Sequence, residues 1–269
     1  MTLVVGATGL LGTEICGRLA SADKRFRAVV RSTSDPAKTE ALKQFGGELV
    51  EGDLKDRASL GRACAGATAV TTTPTAIHSQ QPGDTFETVD LRGQMQLIDA
   101  ARAAKVGQFV FVSVSGNLLK HGDNPLFDAK QAVENHLQRS GLTYTILRPT
   151  FFMEIWLSPH LGFDFADGKA TIYGSGENKI SYISLHNVAD CTVAALSNAA
   201  ARNAVLELGG PEALRGRETA ASNPVEQKFA DLTLAAARGD NIDMSDMFKK
   251  FSVRPRSARE YAKLVMGGT

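Results

Sequence analysis

The chain has 269 residues, 43% hydrophobic and 22% charged, enough apolar material for one large α/β domain or one domain with a lobe attached, which excludes a disordered protein. Thirty Lys and Arg against 29 Asp and Glu leave no global field to draw it to nucleic acid or an anionic membrane, so neither partner is expected. Cys16, Cys64 and Cys191 are few, odd in number and widely spaced, neither a disulfide framework nor zinc-ligand spacing, and fit a reducing compartment.

The first strand is too short, and too soon followed by glycines, to be a signal peptide, and no apolar run is long enough to span a bilayer. A soluble cytoplasmic protein is therefore expected. A homodimer is compatible with the sequence, which does not set the oligomeric state.

In chain order, Leu3 to Val5 reads as a buried strand, after which Leu11, Ile15 and Leu19 recur at i, i+4 and i+8 as the apolar stripe of a helix laid on a sheet. Further strands are predicted at Arg27 to Val30, Leu49 to Glu51, Ala69 to Thr72, Phe109 to Val112 and Thr143 to Leu147. Helices are predicted around Ala37 to Phe45, Ala58 to Cys64, Phe86 to Ala104 and Phe127 to Gln138. This alternation demands a parallel sheet with helices on both faces. After Pro149 the rhythm breaks into aromatics, a Gly-rich turn at Tyr173 to Gly176, a short run Ile180 to Ile183 and a helix from about Asn187 to Leu196. The expected fold is thus α/β, a Rossmann-type doubly wound parallel sheet over residues 1–150. A smaller, interleaved C-terminal substrate lobe and terminal segment occupy 151–269.

Val4-Val5-Gly6-Ala7-Thr8-Gly9-Leu10-Leu11-Gly12 sets a glycine-rich turn between an apolar strand and an amphipathic helix. Gly6 allows the sharp turn, Gly9 lets backbone approach a pyrophosphate, and Gly12 lets the helix sit close to the strand. The helix N-terminus then offers unpaired N–H groups and a positive dipole end. A dinucleotide is expected here, contacted by Gly6, Thr8, Gly9, Leu10, Leu11 and Gly12. An NAD site usually places an acidic residue about 20 residues beyond the glycines. Here the second strand ends in Val29-Val30-Arg31-Ser32, with Lys38 further on. A guanidinium there can pair with a 2′-phosphate in bidentate fashion, so NADP(H) is the expected cofactor; the alternative is that Arg31 is a solvated charge at a strand end.

These features, with Asp53-Leu54, Phe111-Val112-Ser113, the Lys130 helix with Glu134 and Leu137, the run Ser140 to Pro149 (Ser-Gly-Leu-Thr-Tyr-Thr-Ile-Leu-Arg-Pro), and Ser181 to Asp190, resemble the NmrA-like branch of the short-chain dehydrogenase/reductase superfamily, up to about Pro211. The resemblance implies Asp53 and Leu54 at the adenine edge, although an Asp there could equally cap the next helix. It also implies Thr72, Thr73, Pro74, Pro149, Thr150, Phe151 and Phe152 around the nicotinamide. Phe151, Phe152 and Trp156 would form a flat wall for an aromatic acceptor, with core packing the ordinary role of each ring taken singly.

In the superfamily a Tyr-x-x-x-Lys pair carries catalysis. Lys130 stands at the lysine place as the candidate catalytic residue and ribose contact, or as a surface lysine paired with Glu134. Leu126 occupies the tyrosine place and cannot move a proton; Tyr144, Tyr173 and Tyr182 are the substitutes to consider. His160 and His186 lack partners at ligand spacing, so no metal is expected, and Ser113 and Ser115 could hold a substrate atom or simply serve their turn. The resemblance further implies a reductase of quinone, azo or triphenylmethane type acting on a small aromatic acceptor, or a non-catalytic sensor of the NADP(H) pool working through a protein partner. After Leu214 the chain departs from the family pattern, and a short polar stretch to Asn223 leads to the terminal segment.

Overall fold

The computed structural model describes residues 1–77, 79, 81–120, 124–164, 167, 169–170, 175, 177–215 and 236–267. Tyr173, its glycine-rich turn apart from Ser175, and the polar stretch beyond Arg215 lie outside the described residues.

The first half folds as successive strand–helix units: β1 (Thr2–Val5), α1 (Leu10–Ser21), β2 (Phe26–Val30), α2 (Pro36–Gln44), β3 (Glu48–Glu51), α3 (Arg57–Cys64) and β4 (Ala69–Thr72). A π-helix, Phe86–Gly93, runs directly into α4 (Gln94–Ala103), followed by β5 (Gln108–Val112), α5 (Gly116–Leu119), α6 (Pro125–Arg139) and β6 (Tyr144–Pro149). Later come α7 (Met153–Trp156), β7 (Phe163–Asp164), β8 (Lys169–Ala170), β9 (Lys179–Ile180), α8 (Leu185–Ala195), β10 (Ala204–Leu208), β11 (Leu214–Arg215), α9 (Ser245–Phe251) and α10 (Ala258–Gly267).

Seven strands form one sheet in the order β10-β6-β5-β4-β1-β2-β3. The pairs from β3 across to β6 are all parallel, with Thr2 opposite both Phe26 and Ala69 in the centre. Central strands covered on both faces read as unbroken apolar runs. Accordingly Leu3, Val4, Val70, Phe109, Val110 and Phe111 are all fully buried, each contributing about 1.5–3 kcal/mol by removal from water if its side chain is large. The stripe Leu11, Ile15 and Leu19 faces inward along α1.

Packing divides the chain into two compact units. One comprises Met1–Ser113, Pro125–Leu147 and Ala189–Leu206; the other comprises Val114–Asn124, Arg148–Val188 and Glu207–Thr269. The course of the chain is therefore more interleaved than a single division near residue 150. Periodicity between Asn198 and Gly209 gave no strand, yet β10 forms there and takes the sheet edge beside β6. In the second unit, β7 pairs antiparallel with β8, and β9 antiparallel with β11. Asp240 bridges Ile180 on β9, tying the terminal segment to that strand.

Candidate functional site

The turn after β1 has the geometry that a close anion needs. Gly6 adopts φ +83°, and a Cβ there would fall 2.7 Å from the Thr73 hydroxyl and 2.9 Å from the Pro74 ring. A Cβ on Gly12 would lie 2.0 Å from the Gly6 carbonyl oxygen, so no side chain fits where α1 crosses the turn. Gly9 is the N-cap of α1 and brings no side-chain cap; a Cβ there would meet the Gly6 carbonyl oxygen alone, at 3.3 Å. Its outer side is open for an anion to reach the helix N–H groups. Of the other expected contacts, Thr8 is half-buried, Leu10 is 64% exposed beside the turn, and Leu11 packs into the core.

Beyond β2 and β3 lies a cavity of about 280 Å³ bordered by Arg31, Gly52, Asp53, Lys55, Arg62 and Pro82. Arg31 is the residue that sequence reasoning selected; Lys38, exposed on α2, is not among those that line it. Two further cations line it, Arg62 and, in the loop after β3, Lys55. Lys55 escaped notice because it sits in a loop whose partner, Asp84, is 29 residues away. Arg31 donates from Nη1 to Asp84 Oδ2 at 2.7 Å, the Ser79 hydroxyl donates to the same oxygen, and Lys55 pairs with Oδ1. Burial pushes the Asp84 carboxyl up, but the bonds from Lys55, Ser79 and Arg31 outweigh it and hold the group at about 2. Arg31 is therefore an ion-paired group and not a freely solvated charge.

Asp53 is not a helix cap. Asp56 caps α3 by accepting from the Ala58 N–H, while Asp53 accepts from the Lys55 N–H at 2.8 Å and shapes the loop. Leu54 is in the hydrophobic core. Thr72 is fully buried and its hydroxyl donates to Gln94 at 2.9 Å, whereas Thr73 and Pro74 face the glycine turn.

Lys130 is not a surface lysine. It is 4% exposed, 3.3 Å from Asp90 on the π-helix and 5.1 Å above the Phe111 ring. The second Asp90 oxygen accepts from the Ala76 N–H at 2.8 Å. Lys130 thus neutralises a fully buried carboxylate that fixes the loop after β4. Leu126, at the tyrosine place, is 1% exposed. Ser113 is buried, and its hydroxyl has no hydrogen-bond partner among the described residues.

In the second unit, Phe151 and Trp156 pack edge to face with ring centroids 4.6 Å apart, and both are buried. Phe152 is half-buried and bridges Ile183. Pro149 is buried at the end of β6, and the buried Thr150 hydroxyl donates to the Ser181 carbonyl. Tyr182 lies 6.5 Å from Phe151. Tyr144 begins β6, opposite Phe109, at the strand end remote from its carboxyl edge, and is removed as a candidate acid. Ser115 caps α5 and donates to Asp240 at 2.6 Å, so that hydroxyl serves structure. Among the described residues no group of His, Cys, Asp and Glu could hold a metal ion, and no helix is long and apolar enough to cross a membrane.

The profile described as the NmrA-like family matches residues 1–222. Photosystem II assembly factor Ycf39 of Cyanophora paradoxa is 31% identical, over 77% of this chain and 63% of its own. An NAD(P)H azoreductase of Xenophilus azovorans is 32% identical, over 82% of this chain and 72% of its own. An NADPH-dependent quinone oxidoreductase of Escherichia coli, solved with NADPH, superimposes with a TM-score of 0.79 at 23% identity, over 99% of this chain and 100% of the other. The chain spans between 53% and 63% of the length of the first four curated relatives.

Proposed function

The chain belongs to the NmrA-like family, and from that premise we propose that it binds NADP(H) and reduces a planar, electron-poor acceptor of quinone or azo type. The observation that carries this reading is the uncapped, open turn at Gly9 together with a cavity at the ends of β2 and β3 that presents Arg31 and Lys55. The turn offers N–H groups to a diphosphate, and the two cations offer charge-assisted bonds to a ribose 2′-phosphate. When bound, NADPH supplies the hydride, and a conjugated acceptor can take its proton from water. Leu126 in place of an acid is then no obstacle, and positioning provides most of the rate.

Lys130 enters this reading as a positioning residue that sets the Asp90–Ala76 loop, and Thr73 and Pro74 as residues that shape the turn. Phe152, half-buried at the head of α7, is the proposed acceptor contact, and Trp156 packs edge to face on Phe151. Purified protein is expected to oxidise NADPH when a quinone is added, faster than NADH. NADPH consumption independent of the quinone, or none, rejects this reading.

A second reading is favoured by one specific feature: Lys130, at the place of the superfamily's catalytic lysine, sits in a buried ion pair with Asp90. On that reading NADP(H) occupancy regulates a protein partner, in keeping with the assembly role named for the Cyanophora relative. A bound cofactor inert toward a panel of quinones and azo dyes, with a partner captured in one occupancy state alone, distinguishes it.

A further inference from the structure

We propose that Asp84 is a specificity-determining residue: its carboxylate competes with the ribose 2′-phosphate for Arg31 and Lys55, and so limits the preference for NADP(H) over NAD(H). The inference rests on the cofactor site described above, and it concerns a residue that no part of the sequence pattern singled out.

Three observations carry it. First, two of the three cations that line the cavity are already bound to one carboxylate, Arg31 at 2.7 Å through Nη1 and Lys55 through its ammonium. Second, that carboxylate is held in place by the chain. The Asp84 N–H donates to the Gln81 carbonyl at 3.1 Å, and the next residue, Thr85, closes a reciprocal capping box with Thr88 at the head of the π-helix. The Asp84 side chain is 2% exposed, whereas the Arg31 side chain is 36% exposed. The guanidinium can turn toward an incoming group; the carboxylate cannot retreat.

Third, the cavity lining is electrically balanced without Asp84, since Arg31, Lys55 and Arg62 are matched by Glu51, Asp53 and Asp56. Adding Asp84 leaves the neighbourhood one negative charge in excess. A dianionic phosphate entering there meets cations whose charge is largely compensated, and a fixed anion behind them. An NAD(H) ribose, which brings hydroxyls and no phosphate, meets no such opposition. A unit charge and a dianion about 5 Å apart in a water-like medium repel by an amount equivalent to roughly a tenfold change in binding.

The test is to titrate wild type, Asp84→Asn and Asp84→Ser with NADPH and with NADH, following nicotinamide fluorescence, with circular dichroism to establish folding. Asp84→Ser keeps a hydroxyl for the neighbouring donors and serves if the amide variant does not fold. NADPH is expected to bind the charge-removed variant roughly three- to tenfold more tightly, with NADH affinity unchanged. NADPH affinity that is unchanged or weakened while wild type binds NADPH normally overturns the proposal and leaves the cofactor reading intact. Equal tightening for both dinucleotides also overturns it. Failure of wild type to bind either dinucleotide overturns both.

Discussion

At the scale of single residues, Lys130 is best understood through what it touches. Lys130 and Asp90 are 5% and 0% exposed along their side chains, so each charge depends on the other for the solvation it has lost. Lys130→Met leaves the Asp90 carboxylate buried without its cation and is expected to cost about 3–5 kcal/mol. Adding Asp90→Asn removes that orphaned charge, and the double variant is expected to recover part of the loss. Urea denaturation of the four proteins in this cycle measures it; a single Lys130→Met variant as stable as wild type contradicts the assigned pairing. The sequence carried the position of Lys130 but not its partner, since Asp90 lies 40 residues away in a segment whose periodicity reads as ordinary helix. Periodicity cannot report that Phe86–Gly93 is wound as a π-helix, because the apolar spacing of one irregular turn is too short to define a period.

At the scale of elements, the segment around Asp240 joins β9 and α5 through one buried carboxylate. Asp240 accepts from the Ser115 hydroxyl at 2.6 Å and from the Asn117 amide at 3.1 Å, and its N–H donates to the Lys179 carbonyl. Burial pushes its carboxyl up to about 6, against the lowering effect of those two side-chain bonds, and Glu207 adds to the rise. A folded value above the unfolded one of 3.8 means that the folded protein retains a proton that the unfolded chain releases. Its contribution to stability is therefore greatest below about pH 4 and is lost as the pH rises to about 6, by an amount on the order of 3 kcal/mol. Asp240→Asn removes this dependence. The difference in Tm between variant and wild type is expected to shift in favour of the variant between pH 4 and 7; a constant difference across that range contradicts the account. None of this was legible beforehand. A lone Asp after Gly239 carries no periodic signal, and its partners follow from a long-range contact that closes only in the folded chain.

At the scale of the whole molecule, the strand–helix alternation of the first half was readable because a buried parallel strand must be apolar on both faces and a covering helix on one. Leu3 to Val5, Phe109 to Val112 and the stripe Leu11, Ile15 and Leu19 have no other reading. The edge strand Ala204–Leu208 was not, because its half-buried residues Ala204, Val205 and Glu207 present no clean alternation. In the candidate site, Gly6, Gly9 and Gly12 were legible because strand, turn and helix are contiguous. Arg31 was legible from its distance along the chain, but Lys55 and Asp84 were not, since their relation to it exists only across loops.

On the proposed function, main-chain groups at the start of α1 hold a diphosphate while Arg31 reads the adjoining ribose. Isothermal titration of wild type and Gly9→Val with NADPH tests this most directly, because a valine there extends outward from a Cβ already 3.3 Å from the Gly6 carbonyl into the approach to the helix terminus. Saturable binding by wild type and its loss in a folded Gly9→Val protein is the expected result. Equal binding by the two proteins, or no heat of binding from wild type, contradicts the account.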